Sequence, residues 1–136
     1  MSDLKNLAQR FADEIINGRD LDGALTELVV EDFVEQKPLP GQGPGRDGLR
    51  DVLAGMFAAF PDLRWTFLDA IAEDDRVMTL NRWTGTHRGE FMGIPATGRS
   101  VTVEAWTLDR YRDGRLVESR IIMDVAAMLG QLGVLP

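Results

Sequence analysis

Residues 101–123 read VTVEAWTLDRYRDGRLVESRIIM, and the way this stretch folds decides the architecture of the chain. Residues 101–111 and 115–123 are rich in Val, Ile, Thr and aromatic side chains, which suit a pleated, half-buried strand. They flank Arg112-Asp113-Gly114, a short turn with glycine where the backbone must turn left-handed, so the stretch reads as a hairpin. With Gly114 closing a type I turn with a bulge, Tyr111 stands opposite Arg115 and the remaining pairs follow from that one. One face then carries Ala105, Thr107, Asp109 and Tyr111 with Val117, Ser119, Ile121 and Met123. The other carries Glu104, Trp106, Leu108 and Arg110 with Leu116, Glu118, Arg120 and Ile122. A slip of one residue would exchange the two faces.

Working outward, residues 63–72 and 76–86 form a second hairpin about the acidic turn EDDR. Between the hairpins lies the connector HRGEFMGIPATGR, residues 87–99. Upstream, the periodicity changes to that of helices. Residues 3–17 carry a stripe of Leu4, Leu7, Ala8, Phe11 and Ile15 that stops at Gly18. A shorter helix follows from 21 to about 29, capped by Asp20. A third runs from about 46 to 60, with Leu49, Leu53, Met56 and Phe60 on one side and Pro61 ending it. The Pro- and Gly-rich segment 35–48, EQKPLPGQGPGRDG, is a loop between helices and reads as a wall or lid. Asp124 precedes the apolar VAAMLGQLG and can cap a last short helix.

The order α-α-α-β-β-β-β-α predicts a single α+β domain over residues 1–136, with helices on one face of an antiparallel sheet. A curved sheet closed by helices leaves an apolar pocket, the usual place for a small ligand.

Composition narrows the partners. The chain has 136 residues, 44% hydrophobic and 27% charged, with a formal net charge of −7. An acidic surface argues against nucleic acid, whose phosphates reward Lys and Arg. Zero cysteines remove disulfides, thiolate metal sites and a cysteine nucleophile, and one histidine removes His-rich metal sites; an all-carboxylate site is the one type left, and no metal is expected. No apolar run reaches the ~18 residues of a membrane span, and the N-terminus lacks a signal-peptide pattern, so a cytoplasmic protein with no membrane partner is expected.

Several stretches resemble the SnoaL-like polyketide cyclase group of the nuclear-transport-factor-2-like superfamily. They are FPDLRW (60–65), AEDDRV (72–77), GTHRGEFMGIPATGR (85–99), YRDGRLVE (111–118) and MLGQLGVLP (128–136), with PLPGQGPGRDGLR (38–50) matching more loosely. The resemblance implies a cone-shaped α+β fold, a curved antiparallel sheet with N-terminal helices packed on its concave face, and an active site inside the cone. It also implies a homodimer through the outer sheet face and, in the cyclase branch, no cofactor.

In the cyclases of this group a histidine and an aspartate on neighbouring strands act as an acid/base pair, as intramolecular aldol closure requires. Aligned through RDGRLVE, those positions fall on Thr107 and Ile121, neither of which moves protons. A histidine that many relatives carry before the proline-rich loop falls on Gln36, which can orient a carbonyl but cannot act as a base. The same alignment turns the face with Thr107, Ser119 and Ile121 toward the cavity. It leaves Glu104, Glu118 and Arg120 to pair across strands on the outer face.

The chemistry then falls to other groups. Asp124 is the acid nearest the vacant aspartate position, with a helix N-cap as its alternative role. Arg82, together with an acid, could activate water, against the alternative of a salt-bridged arginine. Asn81, Trp65 and His87 are candidates for lining the pocket or its rim, and Asp109, near a strand end, reads as solvated. The resulting expectation is a cofactor-independent enzyme acting on an apolar, oxygenated small molecule by polyketide-like ring closure, isomerisation or hydroxylation. The alternative is a non-catalytic ligand-binding or dimeric interaction module of the same fold.

Overall fold

The structure is a computed structural model that describes residues 2–134, so Met1 and the last two residues of MLGQLGVLP lie outside the described residues. Helix α1 (Ser2–Arg10) continues as a π-helical segment (Phe11–Asn17), and a short α2 (Gly23–Leu28) follows. Then come β1 (Val29–Glu35), α3 (Gly45–Ala59), β2 (Arg64–Glu73), β3 (Arg76–Thr86), β4 (Ser100–Arg112), β5 (Arg115–Met123) and α4 (Val125–Leu132). No helix among the described residues is long and apolar enough to cross a membrane.

Each element follows from its sequence pattern. The N-terminal stripe buries Ala8, Ala12, Ile15 and Ile16 against β2 and β3. Along β3 the burial alternates, with Val77, Thr79, Asn81 and Trp83 inside and Met78, Arg82 and Thr84 outside, the period of a sheet with one covered face. Asp20 accepts from the backbone N–H groups of Gly23 and Ala24 and starts α2. Asp124 accepts from the Ala127 N–H and starts α4. The core runs from Leu25, Leu28 and Val29 through Phe60 and Trp83 to Met128 and Leu132.

The architecture is the expected α+β domain with a curved, unclosed sheet, but it has one strand more than the sequence reading. Val29–Glu35, read as a helix end and the start of a loop, forms β1, and its Val29 and Phe33 are buried. The β-branched run VVEDFV prefers strand geometry and finds a free sheet edge to pair with. It pairs parallel to β5, giving the strand order β1-β5-β4-β3-β2. The sheet is therefore mixed, with four antiparallel strands and one parallel edge, rather than wholly antiparallel.

The second correction concerns the β4–β5 register. Asp113 and Gly114 both have positive φ, 52° and 78°, the pattern of a two-residue type I′ turn, and Arg112 pairs with Arg115. The bulge falls instead at Val117, between the pairs Arg110–Glu118 and Tyr111–Leu116. Thr107 therefore stands opposite Ile121, and Asp109 opposite Ser119. The inner face keeps Thr107, Asp109, Ser119 and Ile121 as expected. Leu116, expected outside, is buried in place of Val117.

Candidate active site

The inner face of the sheet is a grid of side chains in register across strands. One row runs Glu35 (β1), Ser119 (β5), Asp109 (β4) and Val77 (β3), and the next runs Ile121, Thr107 and Thr79. A third row holds Met123, Ala105 and Asn81. Above this grid, α1 and its π-helical continuation, α3 and the loop 36–44 close a cavity of about 300 Å³. Its helical wall is apolar, with Ala8, Phe11, Leu49, Leu53 and Met56, and Trp65 and Phe67 come from β2. Lys37, Pro38, Leu39 and Gln42 of the loop line the cavity too. Among the described residues, no three His, Asp or Glu side chains converge as metal ligands would.

Five polar side chains of the inner wall form one connected chain. Asn81 Nδ2 donates to Thr79 Oγ1 at 2.8 Å, and Thr79 and Thr107 share a short hydroxyl–hydroxyl contact. Thr107 Oγ1 donates to Asp109 Oδ2 at 3.0 Å, and Ser119 Oγ donates to Asp109 Oδ1 at 2.6 Å. A threonine hydroxyl has one proton, and that of Thr107 is committed to Asp109, so the Thr79 hydroxyl must donate to Thr107. All donors of the chain thus point toward Asp109.

Asp109 is buried at 8% exposure with no salt-bridge partner among the described residues, and its carboxyl is pushed up to about 6. Removal from water is the main cause, and the charge of Glu35 adds to it. The Ser119 and Thr107 hydroxyls oppose the shift but do not cancel it. Glu35 is also raised by desolvation, against the Lys37 and Ile121 backbone N–H groups that donate to its Oε2. The Tyr111 hydroxyl, buried without a partner among the described residues, is raised by burial and by the Asp109 charge.

Of the residues singled out in the sequence, Trp65, Asn81, Thr107, Ser119 and Ile121 all line the cavity. The others lie elsewhere. Gln36 is exposed, and its side chain donates to Glu118 at 2.7 Å on the far side of the β1 edge. Arg82 lies on the outer sheet face, 46% exposed, and pairs with Glu104 at 3.4 Å, because even-numbered β3 residues turn away from the helices. Asp124 is exposed and spent on capping α4, and it does not reach the cavity. Neither proposed proton carrier is therefore placed to act on a bound ligand.

His87 is fully buried outside the cavity. Its ring stacks on Phe60 at 5.4 Å, and its Nδ1 accepts the Thr97 N–H, so the ring proton sits on Nε2. The connector packs on the end of α3, where the Arg88 and Gly89 N–H groups cap the Ala59 carbonyl. It contributes no residue to the cavity wall.

The sequence reading treated Asp109 as solvated, and this is the main reversal. Asp109 sits three residues before the turn, but β1 extends the sheet beyond β5, where Glu35 continues the Asp109 row and the loop after it joins the cavity wall. The signal available in the sequence was its spacing, since Asp109 is two residues from Thr107 and must share its face.

Comparison with known proteins agrees with this architecture. The model of the family described as SnoaL-like polyketide cyclase matches residues 6–132, and the chain belongs to that family. No curated protein sequence matches the chain. Among solved structures, IdmH of Streptomyces antibioticus, a candidate polyketide cyclase, is 36% identical over 96% of this chain and 98% of its own, with a TM-score of 0.81. AclR of Streptomyces galilaeus, a candidate hydroxylase, is 29% identical over 100% and 99%, with a TM-score of 0.84. TsrD of Streptomyces laurentii is 25% identical over 98% and 97%, with a TM-score of 0.88.

Proposed function

We propose that the chain binds an apolar, oxygenated small molecule of polyketide type in this cavity and moves protons on it with Asp109 as the base. The observation that carries the reading is a carboxyl enclosed in an apolar cavity and titrating near 6, poised to take and return a proton close to neutral pH. Above that pH it is an anion whose two hydroxyl donors hold it in place without neutralising it. A C–H between two carbonyl groups gives its proton to Asp109, and the enolate carbon attacks a third carbonyl of the same molecule. The alkoxide formed takes that proton back from Asp109, which restores the carboxylate. The step needs no cofactor, and isomerisation by the same base requires only that the proton return to a different carbon.

The proposal includes a homodimer through the outer face of the sheet. Ile71, Met78, Trp106 and Ile122 stand there at 73, 38, 48 and 57% exposure, bordered by the Arg82–Glu104 and Arg110–Glu118 pairs. An exposed apolar patch rimmed by charge is the usual mark of a protein interface. The cytoplasm is the assumed setting.

Turnover of aromatic poly-β-ketone analogues by the wild-type chain and by Asp109→Asn tests the reading. A loss of at least about a hundredfold is expected for the variant, with Asp124→Asn and Arg82→Ala unchanged. Binding without turnover would leave only a ligand-binding module, and turnover that survives Asp109→Asn would take the base role away from Asp109.

A further inference from the structure

Asn81 fixes which hydrogen-bonding groups a ligand can bring to the inner wall. Its Nδ2 donates to Thr79 Oγ1 at 2.8 Å and to the Ala105 carbonyl at 3.3 Å. Because a backbone carbonyl can only accept, the amide cannot be turned round without setting two acceptors against each other. Both protons of Nδ2 are therefore committed, and Oδ1 is left with no partner among the described residues, in a side chain that is 3% exposed and lines the cavity. The hydroxyls of Thr79, Thr107 and Ser119 are also spent as donors toward Asp109. What this wall offers an occupant is lone pairs.

The geometry points to Asn81 Oδ1 as a specificity-determining acceptor, so that the natural ligand carries a hydroxyl donor, as a phenol or enol, to this point rather than a ketone or an ether oxygen. This inference rests on the cavity being the ligand site and deepens that reading by naming the substrate class. A buried acceptor left unpaired carries a penalty, so a ligand oxygen without a proton at Asn81 loses a hydrogen bond and keeps the penalty. Discrimination of this kind, between a partner with the needed group and one lacking it, is stronger than discrimination by apolar shape. Placed on Asn81, the hydroxyl would orient the ring system so that the carbon to be deprotonated lies further along the chain of hydroxyls, toward Asp109.

The test uses three two-ring probes that differ only in the oxygen: 2-naphthol, 2-methoxynaphthalene and 2-acetonaphthone. Affinities are read by NMR titration of the full-length wild type and of Asn81→Ala. The expected result is that wild type binds the naphthol roughly tenfold more tightly than either of the others, and that Asn81→Ala removes the preference. Should Asn81→Ala not fold, the Asn81 side-chain carbonyl carbon of the wild type is followed instead. It should shift downfield with naphthol and not with the ether. Equal binding of all three probes overturns the inference and leaves the cavity as a ligand site. So does a preference that persists in Asn81→Ala, since the hydroxyl then goes to Asp109. Failure of every probe to bind removes the cavity reading and this inference together.

Discussion

Replacing Asp109 by asparagine should stabilise the protein at neutral pH while removing its proton chemistry. An aspartate free in the unfolded chain titrates near 3.8, whereas the folded carboxyl titrates at about 6. Each tenfold change in an equilibrium is worth about 1.4 kcal/mol, so holding this anion in the fold costs about 3 kcal/mol at pH 7. The sign follows from proton binding. Between these two values the folded state holds the proton more tightly than the unfolded one, so stability falls as pH rises through roughly 4 to 6. Above that window the loss is complete, and at pH 4 it is below about 1 kcal/mol. Asparagine keeps the shape and accepts one of the two hydroxyls without the charge. Urea unfolding at pH 7.5 should show Asp109→Asn more stable by about 2–3 kcal/mol, with the difference shrinking to under about 1 kcal/mol at pH 4. A variant less stable than wild type at both pH values would refute the reasoning, because the carboxylate would then be a favourable partner in the fold rather than a strained one. Functional groups held at the expense of stability are a common feature of active sites.

Other perturbations probe the frame around the site. A Cβ on Gly48 would lie 1.8 Å from the Gly43 carbonyl oxygen, so Gly48→Ala should displace the loop 36–44. That change should cost about 2 kcal/mol or more in urea unfolding and weaken 2-naphthol binding. His87→Ala should lower stability by about 2–4 kcal/mol through loss of its packing on Phe60, while probe affinity stays within about twofold of wild type. Trp106→Glu places a charge in the outer apolar patch and should convert a dimer to a monomer in sedimentation velocity without changing the Asp109 titration.

The parts of this molecule legible in the sequence were those written in local periodicity. The helical stripe through Leu4, Leu7 and Phe11, the two hairpins and the caps at Asp20 and Asp124 each follow from side chains within a few residues of one another. So did most of the inner face, because a shift of two residues in register leaves residues 118–123 on the same side, and only Leu116 and Val117, at the bulge, change places. What was not legible depended on distant partners. Whether VVEDFV is strand or helix is decided by the free edge of β5, more than eighty residues away, and that strand with the loop after it supplies part of the wall around Asp109. Gln36 failed as a site residue for the same reason. Its neighbour Glu35 turns inward and alternation sends Gln36 out to Glu118. His87, the one histidine, belongs to the packing of a connector against α3. An alignment by family position found the vacancies at Thr107 and Ile121. It could not show that Asp109, one pair along the same ladder, supplies a carboxyl to the same cavity.

The central claim is that Asp109 is a cavity carboxyl able to exchange a proton near neutral pH, and a site-resolved titration tests it most directly. Carbon-detected NMR of the Asp109 side-chain carboxyl, followed from pH 3 to pH 8 with and without 2-naphthol, should give a midpoint near 6 in the free protein. That midpoint should move when the probe occupies the cavity. A midpoint at or below the ordinary 3.8, indifferent to the probe, would mean a solvated or stably ionised carboxylate and would contradict the account.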